Sequence, residues 1–262
     1  MRLDGCTALI TGASAGLGRE IARQLASRAR TLVLVARRTE RLEEVRAELV
    51  AKHPALKVLV CPIDLAKHKS VSQLCEMLAA EAIVPDFLIN NAGLGDRGIF
   101  DSADFGRLND MMQVNVVSLT LLTRKLLPAM LEARRGAILN VSSSASFLPI
   151  PGMGVYAATK AYVTSFSEAL RAEVRGRGIT VSALCPGPVH TEFDAVARRA
   201  DAAGQPAPEF TYVPPEKVVR DALAGIENAR AIVIPGVAMK IAMAIARATP
   251  LAVLRFAGRF AR

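Results

Sequence analysis

Short, largely apolar runs rich in β-branched residues alternate along the chain with longer stretches in which apolar and polar residues are mixed. Apolar runs of this length are typical of strands that are buried on both faces of a parallel sheet. The runs predict seven strands: Cys6–Ile10, Thr31–Ala36, Lys57–Cys61, Phe87–Asn90, Ala137–Ser142, Ile179–Cys185 and Ala231–Ile234.

The mixed stretches have the spacing of amphipathic helices. Strands that alternate with helices predict an α/β protein: a doubly wound parallel sheet of seven strands with helices on both faces. In such a fold, ligands bind beyond the carboxyl ends of the strands. The predicted helices lie near residues 16–30, 40–52, 71–82, 107–134, 155–176 and 215–228.

The predicted organisation is one α/β domain over residues 1–235 and a basic amphipathic C-terminal extension over 236–262, because no linker rich in Gly, Ser or Pro divides the chain. Residues 190–213 have neither helical nor strand periodicity. A stretch of that length without elements is usually functional or disordered in a compact domain, so we predict a mobile lid over the ligand site.

Composition narrows the classes of function. The chain has 262 residues, of which 52% are hydrophobic and 22% charged, as in ordinary globular proteins. Its net charge of +9 is concentrated in a tail, since six Lys and Arg residues and no acid follow Glu227. Aromatic residues make up only 5% and Trp is absent, so binding to nucleic acid is disfavoured.

The four cysteines form no C-x-x-C pair and have no metal-ligand spacing with the three histidines. We expect free, buried thiols in a reducing compartment and no metal site. No secretory signal is visible near Met1, so the predicted location is the cytoplasm.

A glycine-rich turn follows the first predicted strand and opens the first helix. Such a turn lets a pyrophosphate approach the helix N-terminus, where unpaired N–H groups and the dipole attract an anion. The alternative is a tight turn without a ligand. The predicted cofactor-binding residues of the turn are Thr11, Gly12, Ser14, Gly16, Leu17 and Gly18.

The end of the second strand distinguishes the two nicotinamide dinucleotides. A site for NAD places Asp or Glu there, about 20 residues after the turn, whereas this chain has Arg37 and Arg38. Guanidinium groups suit a 2′-phosphate through charge-assisted hydrogen bonds, so NADP(H) is the predicted cofactor. The alternative is a solvated pair held in salt bridges by Glu residues of the following helix.

Tyr156 and Lys160 are four residues apart in a predicted helix and therefore share one face. A nearby ammonium lowers the pKa of a phenol, which is about 10 in free Tyr, toward the range of an acid–base catalyst. The pair alone also fits an ordinary amphipathic face. Other polar positions accompany it: serines 142–144 and Asn90-Asn91-Ala92-Gly93 at strand ends, and Asn115 among apolar neighbours.

Jointly these motifs resemble the short-chain dehydrogenase/reductase family over residues 5–235. The resemblance implies a Rossmann fold and a catalytic tetrad. Tyr156 would donate a proton to the substrate oxygen, which Ser143 would orient. Lys160 would lower the pKa of Tyr156 and bind the nicotinamide ribose. Asn115 would hold a water that relays protons.

The resemblance also implies further cofactor contacts. Asp64 and Leu65 would lie at the adenine. Many NADP-dependent members carry a basic residue before the second glycine, but Ala15 stands here, so the phosphate preference depends on the arginine pair. The other implied contacts are Asn91, Ala92, Gly93, Tyr156, Lys160, Pro186, Gly187, Val189 and Thr191.

The candidate substrate pocket is apolar and has no obvious Lys or Arg for a small carboxylate. It favours NADPH-dependent reduction of a hydrophobic ketone, aldehyde or 3-oxoacyl compound. Two alternatives remain: an NADP(H)-binding sensor or scaffold without turnover, and a lipid reductase at a membrane surface. The pocket candidates are Leu94, Phe147, Leu148, Met153 and Phe193, with Phe210 and Tyr212, although several of these could merely pack the lid.

Association is predicted in two places. The resemblance implies a homodimer or homotetramer formed through the helices near 107–134 and 155–176. In the extension, Lys240 and Arg247 share a face of a predicted helix, Val237–Ala248, which Pro250 ends. A basic amphipathic helix can lie on an anionic membrane surface, but packing on a partner subunit or over the substrate pocket is also open.

Deletion of residues 237–262 is expected to leave the NADPH affinity nearly unchanged, because the predicted cofactor contacts all precede the extension. Fluorescence titration of the intact and shortened proteins with NADPH measures this. A collapse of cofactor binding in the shortened protein would contradict the prediction.

Overall fold

A parallel sheet of seven strands lies at the centre of the computed structural model, which describes residues 2–202 and 208–249. The strand order is β3-β2-β1-β4-β5-β6-β7, so the direction of winding reverses between β1 and β4 and a crevice opens at their carboxyl ends. The strands are β1 (Thr7–Thr11), β2 (Thr31–Ala36), β3 (Lys57–Pro62), β4 (Phe87–Asn90), β5 (Gly136–Val141), β6 (Ile179–Leu184) and β7 (Ile232–Val233).

Helices cover both faces of this sheet. Successive residues of a strand point to opposite faces, so Ala8 and Ile10 pack in one apolar cluster and Leu9 packs in the other. The helices are α1 (Gly16–Leu25), α2 (Thr39–Lys52), α3 (Ser70–Ala80), α4 (Phe105–Met112), α5 (Leu119–Glu132), α6 (Gly154–Glu173), α7 (Glu192–Ala197), α8 (Pro215–Glu227) and α9 (Val237–Ala248).

Each apolar cluster joins a different set of helices to the sheet. The first contains side chains of α1, α2 and α8, and the second contains side chains of α3, α5 and α6. The predicted fold class, a doubly wound seven-stranded α/β sheet with a C-terminal helix after it, is thereby confirmed. The four cysteines are free, and three of them are buried.

Two predicted segments differ from the structure. The helix predicted near 107–134 consists of α4 and α5 joined by a π-helical turn, Gln113–Ser118, which places Asn115 inside the protein. Residues 190–213 are not a loop throughout, because α7 and a short 3-10 helix, Glu209–Thr211, lie there. Residues 203–207 and 250–262, including the second half of the extension, lie outside the described residues.

The C-terminal end of α7 is fastened to the loop that follows β4. Arg97 and Arg198 form a parallel bridge between the two segments. The carboxylate of the buried Asp96 pairs with Arg107 at 2.8 Å and with Arg199 at 3.4 Å. These contacts anchor the end of α7, while the mobility of the segment stays a prediction.

Candidate active site

The glycine turn between β1 and α1 leaves its backbone open to a ligand. Gly12 and Gly16 have φ values of 68° and 52°, in the left-handed region that favours glycine. The side chain of Asn91 holds the turn from the other side, since its Nδ2 donates to the carbonyl oxygen of Thr11 at 2.8 Å. The turn is thus shaped by the neighbouring strand end as well as by its own residues.

Thr11 and Gly18 lie behind this turn and do not line the cavity, which differs from their prediction as cofactor contacts. The Thr11 hydroxyl accepts hydrogen bonds from the backbone N–H groups of Asn91, at 3.0 Å, and Ala92, at 2.9 Å, and so joins β1 to the end of β4. A side chain at Gly18 would collide with the carbonyl oxygen of Gly12. Both residues shape the turn, and their contact with a cofactor stays a prediction.

One cavity of about 1360 Å³ extends from the glycine turn past the carboxyl ends of the central strands. Ordinary ligand pockets measure roughly 300–1,000 Å³, so this cavity can hold a dinucleotide together with a second molecule. Among the predicted residues it is lined by Gly12, Ser14, Gly16, Leu17, Arg37, Arg38, Asp64, Leu65, Asn91, Ala92, Gly93, Leu94, Ser143, Leu148, Met153, Tyr156, Lys160, Pro186, Gly187, Val189, Thr191, Phe193 and Tyr212.

Tyr156 lies in the first turns of α6, only 7% exposed, with its ring centroid 5.6 Å from that of Phe193. Burial raises the pKa of Tyr156 to about 12, and a hydrogen bond with Ser143 acts in the opposite direction. Ser142, by contrast, donates to the carbonyl oxygen of Lys160 at 2.8 Å inside the protein. The structure therefore separates the neighbouring serines: Ser143 faces the phenol and Ser142 supports α6.

Lys160 is buried one turn further along α6. Its Nζ donates to the carbonyl oxygen of Val141 at 2.8 Å and lies 5.8 Å from the centroid of the Tyr156 ring. Burial lowers the pKa of Lys160 to about 8. The protein groups thus move the pKa of Tyr156 upward, opposite to the shift expected from the sequence, because burial of the phenol outweighs its hydrogen bond with Ser143.

Asn115 does not line the cavity, and its amide lies directly behind the cavity wall. The Oδ1 atom accepts from the backbone N–H of Leu94 at 2.8 Å, and Nδ2 donates to the Leu94 carbonyl oxygen at 2.9 Å and to Thr159 Oγ1 at 3.0 Å. A Cβ atom on Gly93 would lie 3.4 Å from the Nζ of Lys160 and 3.5 Å from Asn115 Oδ1. The backbone of Gly93 thus lies against both groups, at distances that are ordinary contacts for a Cβ atom.

The arginines at the end of β2 have an unexpected partner. Glu192 of α7, rather than a Glu of the following helix, pairs with Arg38 at 3.2 Å and with Arg41 at 2.6 Å. Arg38 also donates to Ser14 Oγ at 3.4 Å, beside the glycine turn. Arg41, in the first turn of α2, was not predicted as a site residue.

The far end of the cavity contains residues that sequence reasoning missed. Met239 and Met243 of α9 line it. They are four residues apart and therefore share one helix face, which is the sequence pattern that would have identified them. Arg97 also lines it, so the pocket is not free of cationic side chains. Phe147 does not line the cavity, and its ring lies 5.3 Å from the Arg247 guanidinium. The side chain of Phe210 lies outside the described residues.

Comparison with known proteins agrees with this geometry. The family described as short chain dehydrogenase matches residues 6–202, so the chain belongs to that family and to its class of oxidoreductases acting on CH–OH and C=O groups. An NADP-dependent 3-hydroxy acid dehydrogenase of Schizosaccharomyces pombe is 38% identical over 203 residues, which are 76% of this chain and 78% of the relative. The family prediction is therefore confirmed.

Two solved structures resemble the chain closely. A short-chain dehydrogenase from Sphingobium yanoikuyae in complex with NADPH has a TM-score of 0.80 and 31% identity, with 88% of each chain covered. A bulky-bulky ketone specific alcohol dehydrogenase from Comamonas testosteroni has a TM-score of 0.77 and 29% identity, with 88% of this chain and 86% of that chain covered.

Replacement of Lys160 by Met is expected to stabilise the protein at pH 7. The folded pKa of about 8 is below the ordinary 10.5, so the cost of the buried charge is fully present below pH 8 and disappears as the pH rises to 10.5. The expected gain in the free energy of unfolding is on the order of 2 kcal/mol at pH 7 and much smaller at pH 10.5. Urea denaturation at both pH values measures it.

The exposed Lys240 provides the control, since Lys240→Met removes a charge without removing a buried one. It should change the stability little at either pH. An equal gain from Lys160→Met at pH 7 and pH 10.5 would show that packing, not charge, caused the effect.

Proposed function

We propose that this protein uses NADPH to reduce the carbonyl group of a bulky, largely apolar substrate to the alcohol, with Tyr156 as the general acid. The observation that carries the proposal is one continuous cavity, which Tyr156 lines together with the glycine turn and a chamber of largely apolar side chains. Bound NADPH supplies the hydride. Cofactor and substrate would thus meet beside the phenol.

The cofactor fits the residues at the first end of the cavity. The open backbone of Gly12 and Gly16 suits a pyrophosphate at the N-terminus of α1. Arg37 and Arg38 end β2 where an NAD site would carry an acid, and we assign the 2′-phosphate to them. Relatives that use NADP or were solved with NADPH support this choice.

The two shifted pKa values suit proton donation. With a pKa of about 12, Tyr156 is protonated near neutral pH, and its O–H can donate to the carbonyl oxygen while Ser143 orients that oxygen. Lys160, whose pKa is about 8, carries a charge at pH 7 and stabilises the phenolate that donation leaves. Asn115 holds Leu94 in place through both polar groups of its backbone, and its role in a water relay stays a prediction.

The substrate chamber supports a bulky substrate. Met239 and Met243 of α9 line the cavity together with Phe193, Leu148 and Met153. Flexible Met side chains adapt to varied apolar shapes. The similarity to a bulky ketone dehydrogenase agrees with this size. Arg97 also lines the cavity, and a guanidinium group can pair with a carboxylate, so a 3-oxo acid is the second candidate substrate. The similarity to a 3-hydroxy acid dehydrogenase agrees with this choice.

For association, we propose a homodimer or homotetramer formed through α5 and α6, in the cytoplasm. Val117, Leu121 and Tyr162 expose apolar surface there.

The continuous helix Phe105–Glu132 is long and apolar enough to span a membrane by composition alone, but it packs on the sheet as a core helix. The feature that supports peripheral membrane contact is an exposed stripe on α9: Val237, Ile241 and Ile245, beside Lys240.

Replacement of Tyr156 by Phe is expected to lower the rate of NADPH oxidation at least a thousandfold and to change NADPH affinity less than threefold, because the proton donor is lost and the ring is kept. The measurement is NADPH absorbance across a panel of ketones, aldehydes, 3-oxoacyl thioesters and 3-oxo acids. If the natural protein oxidises no more NADPH than the variant on the whole panel, the sensor function is favoured instead.

Replacement of Met243 by Ala is expected to lower kcat/KM for a long-chain or bulky ketone about tenfold, because a buried apolar wall of the chamber is removed. The value for a short homologue and the affinity for NADPH should be unchanged. Ile245→Ala, on the exposed side of the same helix, is the matched control. Equal losses for long and short substrates would contradict the role of α9 as a chamber wall.

A further inference from the structure

Glu192 connects the cofactor end of the cavity to the segment that covers it. It is the first residue of α7, its side chain is half exposed, and its carboxylate lies between Arg38, at 3.2 Å, and Arg41, at 2.6 Å. The contact with Arg38 spans 154 residues of sequence. The carboxylate of Glu192 is therefore paired with the guanidinium group of Arg38, which lies beside the glycine turn.

An anionic cofactor group and this carboxylate make opposing demands on Arg38. The 2′-phosphate assigned to Arg37 and Arg38 needs N–H donors of Arg38, whose Nη1 already donates to Glu192, and two anions at one guanidinium repel each other. A cofactor without that phosphate makes no such demand. If Glu192 leaves Arg38, its closer ion pair with Arg41, at 2.6 Å, still holds the carboxylate.

We propose that Glu192 is an internal competitor for the 2′-phosphate and so sets how strongly the protein prefers NADP(H) to NAD(H). The proposal rests on the assignment of the 2′-phosphate to Arg38 under the proposed function. It makes Glu192 a specificity-determining residue: the carboxylate weakens binding of the phosphorylated cofactor and leaves the other cofactor unaffected.

The ion pairs of Glu192 are not what fastens α7. Exposed pairs of this kind contribute little to stability, because solvent screens them. The other end of the helix has stronger attachments, since Arg107 donates to the carbonyl oxygen of Ala197 at 3.0 Å and also pairs with the buried Asp96. Thr191 caps the start of α7 by accepting from the N–H of Phe193 at 3.3 Å. Neutralising Glu192 should therefore leave the helix in place.

The test measures binding of the adenosine half alone, so it does not depend on turnover. Calorimetric titration of the full chain with 2′,5′-ADP and with 5′-AMP isolates the contribution of the 2′-phosphate. Glu192→Gln keeps the size of the side chain and removes its charge. It is expected to tighten 2′,5′-ADP and NADPH roughly three- to tenfold, the range of an exposed ion pair plus relieved repulsion, and to leave 5′-AMP and NADH unchanged.

Two variants make the outcome specific. Asp194→Asn removes another exposed carboxylate of α7 that also lines the cavity, and screening should leave its effect below twofold. In an Arg38→Gln background, Glu192→Gln should give no gain, because the contested donor is absent. A gain that requires Arg38 and is specific to Glu192 supports the proposal.

The other outcomes overturn it in distinguishable ways. No gain or a weaker affinity with Glu192→Gln, or an equal gain with Asp194→Asn, removes Glu192 as a competitor but leaves the phosphate assignment intact. If Arg38→Gln retains the natural preference for 2′,5′-ADP over 5′-AMP, the phosphate does not bind at Arg38. This inference then fails, while Arg37 can still hold the phosphate and the proposed function stands.

Discussion

The site depends first on the hydrogen bonds of one buried amide. Asn115 is 1% exposed, and it contacts the loop after β4 through both polar groups of Leu94 and α6 through Thr159. A buried amide that loses its partners costs roughly 1–3 kcal/mol for each unsatisfied group, so these three segments are held in one arrangement. That arrangement sets where Gly93, Lys160 and the base of the cavity lie.

Burial acts on the two titratable groups of the site in opposite directions. It raises the pKa of Tyr156 and lowers that of Lys160, and in both cases it favours the neutral form. The phenol therefore stays protonated and can donate a proton. The amine is charged at pH 7, but its burial makes that charge unfavourable for the free energy of folding. The packing of the sheet and of α6 keeps Lys160 buried against the carbonyl oxygen of Val141 in spite of this unfavourable charge.

Two helices outside the central sheet complete the cavity. The first turn of α7 contacts three subsites through consecutive residues: Thr191 lies over Gly16, Glu192 pairs with the arginines, and Phe193 packs beside Tyr156. Met239 of α9 packs on Gly187, where a side chain would collide with it. The cofactor end and the substrate end of the cavity thus share walls contributed by segments late in the chain.

Most of the fold and much of the site could be predicted from the sequence, because both depend on local patterns. Apolar runs become buried strands, and motifs at strand ends meet at one edge of a parallel sheet, so Ser143, Tyr156 and the Arg37–Arg38 pair reach one cavity. The sequence could not reveal contacts between distant segments, such as Glu192 with Arg38, the methionines of α9 on the cavity wall, or Phe147 under Arg247. Nor could it give the shift of the Tyr156 pKa, since that depends on how deeply the packed protein buries the phenol. Local periodicity determines which elements form, whereas burial and long-range pairing exist only once those elements have packed together.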